Sequence, residues 1–133
     1  HPEVADKYGI GTRCYAAELM FNTVTELSDL EKVFSPLPKY PATSRDIALL
    51  VDEDMLVGDI ENVIRAAGTE ILRDVKLFDI YRGKQVEEGK KSVAFNLTYR
   101  HNDRTLTDED VNAAHGQVLT ALKEKLDAVL REM

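Results

Sequence analysis

Leu77-Phe78-Asp79-Ile80-Tyr81-Arg82-Gly83 and, after a short charged turn, Ser92-Val93-Ala94-Phe95-Asn96-Leu97-Thr98-Tyr99-Arg100 decide how this chain folds. In the first stretch Phe78 and Ile80 alternate with Asp79 and Tyr81. In the second, Val93, Phe95, Leu97 and Tyr99 alternate with small or polar residues. A period of two sends successive side chains to opposite faces of a strand, so each stretch has one greasy face and one sparse face. Antiparallel partners keep a constant index sum; with Tyr81 opposite Ser92, Ile80 meets Val93, Asp79 meets Ala94 and Phe78 meets Phe95. This register puts the large apolar residues on one side and leaves the other to Asp79, Tyr81, Ser92, Ala94 and Asn96. Such a face is unusual, because the solvated side of an antiparallel sheet normally carries long charged residues.

Working outward, Ile47, Leu49 and Val51 alternate with Asp46, Ala48 and Leu50 to write an earlier strand with the same small residue, Ala48, on its outer side. Between it and the hairpin, Ile60, Val63, Ile64 and Ala67 recur at helical spacing, and Gly68 suits a left-handed helix end. After the hairpin, Thr107-Asp-Glu-Asp110 supplies an N-cap hydroxyl and three acids where a helix dipole favours negative charge. Val111, Ala114, Val118, Leu122 and Leu126 continue as its buried stripe. Residues 127–132 are expected to return as a short edge strand or to fray as a helical end. The order βαββαβ gives an α+β, ferredoxin-like sandwich: a four-stranded antiparallel sheet with both helices on one face. The first and third strands lie beside each other at its centre.

The first third of the chain reads differently. Cys14 to Val24 is expected to be a strand without a nearby partner, and a lone strand is not stable. We therefore expect residues 1–34 to be the tail of a preceding domain, residues 35–43, with three prolines, to be an extended connector, and residues 44–133 to be the domain proper.

Composition narrows the function classes. With 44% hydrophobic and 31% charged residues the chain has the balance of a soluble globular protein, and no run is long and apolar enough for a membrane span. A single cysteine, Cys14, is consistent with a reducing cytosol. Net charge of −7 argues against indiscriminate nucleic-acid binding, yet residues 76–104 hold seven Lys or Arg against four acids. That local excess is either a solvated hairpin tip or a phosphate-holding surface flanking Tyr81. His1, His101 and His115 have no metal-ligand spacing, the glycines are isolated and no serine has a neighbouring base in a recognisable motif. No catalytic centre is written, which leaves recognition. An aromatic ring on a shallow floor of small residues can stack an unpaired base, while Tyr81 as an ordinary packing residue is the competing reading.

At these same residues the chain resembles the ferredoxin-fold anticodon-binding domain that ends the bacterial phenylalanyl-tRNA synthetase beta subunit. The resemblance rests on Pro36-Leu-Pro-Lys-Tyr-Pro41, Ser44-Arg-Asp-Ile-Ala48, Leu77-Phe-Asp-Ile-Tyr81, Gly89-Lys-Lys-Ser92 and Arg104-Thr-Leu-Thr-Asp-Glu109, in order across residues 36–131. Residues 1–34, through His1-Pro2 and Ala17-Glu-Leu19, resemble the end of the same subunit's catalytic-like module.

The resemblance implies a cytoplasmic phenylalanine–tRNA ligase in which this region grips the anticodon stem-loop of tRNA. It also implies an alpha subunit that performs the chemistry, a heterotetramer of two alpha and two beta subunits, no membrane partner, and ATP and Mg2+ bound elsewhere in the enzyme. Tyr81 inherits the base-stacking role, and Ala48 and Ser92 match positions lining the base pocket. Arg45, Asp46, Asp79, Lys91 and Asn96 are added by proximity on the expected face. The family commonly places a glycine in its final strand; Lys125 to Met133 has none. The runner-up is a protein-interaction or small-ligand regulatory module, since ferredoxin-like sandwiches host unrelated functions.

Overall fold

The computed structural model describes residues 1–29, 31, 33, 34 and 36–131. The chain divides into two compact units, His1–Pro36 and Leu37–Met133.

In the first unit, helix α1 spans Pro2–Lys7 and helix α2 spans Phe21–Glu26. His1 caps α1 by accepting from the Glu3 amide through Nδ1, and proline occupies the first turn, where its missing N–H costs nothing. The strand expected over Cys14–Val24 is absent: residues 14–20 have no regular structure, and Phe21-Asn-Thr-Val-Thr-Glu26 is helical. The physical reason is pairing. Among the described residues of this unit none forms a strand, so a strand there would leave its amides without a strand partner; only Phe21–Glu26 pairs its backbone, by helical bonds. Thr25 adds a side-chain bond, its Oγ1 donating to the Phe21 carbonyl at 3.0 Å.

The second unit contains strand β1 (Thr43–Asp52), helix α3 (Val57–Ala67), strands β2 (Leu72–Tyr81) and β3 (Lys90–Tyr99), helix α4 (Asp108–Leu126) and strand β4 (Val129–Leu130). The sheet order is β2-β3-β1-β4 with antiparallel neighbours, the ferredoxin-like arrangement. Every second residue of β1 and β3 turns toward the helices. Ile47 pairs with Phe95, Leu49 with Val93 and Arg45 with Leu97. Val93, Phe95, Leu97 and Tyr99 are fully buried against Ile60 and Ile64 of α3 and Val111, Val118 and Leu122 of α4. Burial of each such side chain stabilises by ~1.5–3 kcal/mol relative to exposure.

The helix boundaries follow local chemistry. Thr107 and Asp110 form a reciprocal capping box at the start of α4. The Arg104 guanidinium bonded to Asp110 holds that carboxyl well below the usual carboxylate range. Gly68 ends α3 with φ −63° and ψ 138°, ordinary extended backbone and not the expected left-handed cap. The left-handed cap occurs instead at Asp127, φ 48°, which turns the chain from α4 into β4. Aspartate tolerates that region better than most residues, so the final strand forms without the glycine. Within the core the Tyr99 hydroxyl lies 3.1 Å from His115 Nδ1. Burial pushes the Tyr99 pKa up to about 12 and that of His115 down.

Candidate nucleic-acid interface

The sheet face away from the helices is built in rows. Leu50, Ser92 and Tyr81 form one, Ala48, Ala94 and Asp79 the next, and Asp46, Asn96 and Lys76 a third. Six of the eight residues expected at the site are therefore brought together: Tyr81, Ala48, Ser92, Asp79, Asp46 and Asn96. The Tyr81–Ser92, Ile80–Val93 and Asp79–Ala94 pairs follow the expected register.

The other two are elsewhere. Arg45 pairs with Leu97, on the helix side of the sheet, and its guanidinium reaches Asp108 at 3.4 Å. Lys91 pairs with Val51 on that same side and is buried. Its Nζ donates to the Glu53 carbonyl at 2.8 Å and the Met55 carbonyl at 2.6 Å, tying the β1–α3 turn to β3. Proximity on the expected face suggests both, but strand parity sends an odd-numbered residue of β1 or β3 to the opposite side from Ala48 and Ser92. Lys91 is structural here, its charge used on carbonyls and not on phosphates.

The expected Phe78–Phe95 pair is also corrected. Leu77 stands opposite Phe95, and the register shifts between Leu77 and Asp79, leaving Phe78 as the extra residue of a β-bulge. Phe78 is 52% exposed and borders a shallow depression with Asp46, Lys76 and Asn96. Two adjacent large apolar residues, Leu77-Phe78, break the period of two, and that break was the available signal for a bulge.

The floor is not as bare as the alternation suggests. Ala48, Ala94 and Ser92 are only 7%, 8% and 5% exposed. Arg131, whose amide donates to the Ala48 carbonyl at the outer edge of the sheet, sends its guanidinium to 5.9 Å from the Tyr81 ring centroid and to Gln85 Oε1 at 3.1 Å. Its side chain thus links the β4 edge to Tyr81 on β2. The contact with the ring is of cation–π type. Arg131 went unrecognised because its orientation depends on β4 being paired, which the sequence left open.

Tyr81 itself lies outward, away from the helix-packed core, and is 37% exposed. Its phenol rests against Gly83, where any Cβ would overlap the ring. A larger residue at that position would push the phenol end of the ring aside. Asn96 Nδ2 donates to Asp46 Oδ1 at 2.6 Å, fixing both side chains in the third row.

The basic stretch is largely consumed within the fold. Arg82 pairs with Glu53 at 2.6 Å, Lys90 with Glu87 at 3.7 Å and Arg104 with Asp110. Among the described residues, Lys76, Lys84 and Arg100 have no acidic partner, and of these Lys76 lies on the open face. Nor, among the described residues, do three His, Cys, Asp or Glu side chains converge as a metal site. Among the described residues, no helix is long and apolar enough to cross a membrane.

A ferredoxin-like sheet with one helix-free face carrying an aromatic ring beside a small-residue floor defines a class of binding domain. Residues 38–131 match the model of the ferredoxin-fold anticodon binding domain family, and the chain belongs to that family. It is similar to the phenylalanine–tRNA ligase beta subunit of Clostridium tetani, 50% identical over 131 residues that cover 98% of this chain and 17% of that protein. The same-named subunits of Clostridium acetobutylicum and Bacillus subtilis are 47% and 42% identical, each over 98% of this chain and 16% of the relative. The chain thus spans about a sixth of the length of these relatives.

Proposed function

We propose that the open face recognises the anticodon stem-loop of a tRNA, as the anticodon-binding part of a phenylalanine–tRNA ligase beta subunit. The observation that carries this reading is the outward, glycine-seated Tyr81 beside the Ala48–Ala94–Ser92 floor in a chain of the anticodon-binding family. An unpaired base lies flat on the Tyr81 ring, a contact worth ~1–3 kcal/mol. Asp79, in the neighbouring row, offers carboxylate oxygens that accept from base amino or imino groups or from a ribose 2′-hydroxyl and repel phosphate. The Ser92 hydroxyl can donate or accept at a base edge. Arg131, whose guanidinium lies over one side of the Tyr81 ring, adds positive charge to this face next to that of Lys76.

The proposal extends to the assembly. This region works with an alpha subunit in a cytoplasmic heterotetramer of two alpha and two beta subunits, where ATP, Mg2+ and phenylalanine are handled outside the residues described above. The test is binding of a tRNA anticodon stem-loop to the complete ligase, wild type against Tyr81→Ala. The expected loss is ~1–3 kcal/mol of RNA affinity with unchanged ATP-dependent activation of phenylalanine. Equal losses in both, or none in RNA binding, would refute the role of Tyr81.

A further inference from the structure

The bulge that displaces Phe78 has no evident structural purpose on the helix side, because Leu77 takes the place opposite Phe95. Its effect is to put a second aromatic ring on the open face. Phe78 stands three residues from Tyr81, about 10 Å along the strand, a span that neighbouring nucleotides of an unstacked strand can bridge. Around it are Lys76, which lacks an acidic partner among the described residues, and the Asp46–Asn96 pair. The bond from Asn96 occupies Asp46 Oδ1, and among the described residues no donor meets Oδ2. A half-exposed phenyl ring, a lysine and a fixed carboxylate acceptor are the three groups a nucleotide engages through its π-face, its phosphate and its amino edge.

We propose that Phe78, Lys76, Asp46 and Asn96 form a second nucleotide subsite, which takes the base next to the one on Tyr81. The inference rests on the reading of the open face as RNA-binding. Phe78 stacks the base, Asp46 Oδ2 accepts from an exocyclic amino group, and Lys76, on the side of Phe78 away from Tyr81, meets a phosphate that flanks this nucleotide. Adenine, guanine and cytosine carry that amino group; uracil does not, so uridine at this position is disfavoured.

The probe is a tRNA anticodon stem-loop RNA carrying 2-aminopurine at one loop position at a time, titrated against the complete ligase. Stacking quenches the fluorophore, so each subsite reports separately. Tyr81→Ala relieves quenching at one loop position and Phe78→Ala at its neighbour, with affinity falling about 5- to 150-fold in each case. Phe78→Trp, which keeps a π-face, retains affinity. Phe78→Leu, which keeps apolar bulk without one, does not, and this separates stacking from packing. Lys76→Gln lowers the slope of log affinity against log salt by about one. If Tyr81→Ala acts while Phe78→Ala and Phe78→Leu change neither quenching nor affinity, the second subsite is wrong and the first stands. If neither Tyr81 nor Phe78 variants change binding, the open-face reading fails and takes this subsite with it.

Discussion

The two faces of one sheet obey opposite rules. On the helix side, Val93, Phe95, Leu97 and Tyr99 are sealed, and even a lysine, Lys91, is buried with its ammonium spent on two backbone carbonyls. On the other side the central residues are alanines and a serine, the rings of Tyr81 and Phe78 are partly exposed, and Arg131 bridges the gap by reaching across. Stability therefore resides in the first face. The second keeps two aromatic rings partly exposed, a feature the fold itself does not explain.

Substitutions on the two faces should separate cleanly. Phe95→Ala removes a fully buried ring and is expected to cost ~3–5 kcal/mol in denaturant unfolding of the chain. A negligible change in midpoint would mean the faces are inverted. Lys91→Met keeps the apolar stem but strands the Glu53 and Met55 carbonyls, with an expected cost of ~1–3 kcal/mol in stability. RNA affinity should not change; a loss of RNA affinity at constant stability would return Lys91 to the binding surface. Gly83→Ala should do the reverse, displacing the Tyr81 ring and weakening RNA binding by no more than the ~1–3 kcal/mol that loss of the ring itself costs. The unfolding midpoint should barely move.

The smallest effect expected is that of pH on the helix side. Burial lowers the His115 pKa, so the unfolded chain binds the proton more readily than the folded one. The contribution from this group is present above its ordinary value of about 6.5 and declines as pH falls through that value toward the lowered one. Unfolding midpoints of wild type and His115→Gln, measured from pH 7.5 to 5, should converge on acidification. A gap that does not narrow as pH falls would argue against a half-buried neutral imidazole.

Much of this division was legible in the sequence, because period-two alternation is a local property that survives folding. Val93 to Tyr99 and Ile47 to Val51 point as their alternation requires, and the Thr107 capping box starts α4 where its side chains dictate. What was not legible depends on pairing or on an inserted residue. A single bulge at Phe78 moved a ring from the expected inner face to the outer one. Arg131 joins the site only because Asp127 adopts a left-handed turn that brings β4 alongside β1. Arg45 and Lys91 were misplaced for the simpler reason that closeness in sequence overrode parity. The Cys14–Val24 strand does not form: among the described residues of the first unit no strand stands beside it to pair its backbone.

The central claim, that RNA is held by the helix-free face, is tested most directly by following the chain's own NMR signals as an anticodon stem-loop RNA is added. The expected result is that the resonances of Tyr81, Ser92, Ala94, Ala48 and Phe78 shift or broaden saturably while those of Ile60, Ile64, Val118 and Leu122 stay in place. Changes confined to the residues of α3 and α4, with Tyr81 unaffected at saturating RNA, would contradict it.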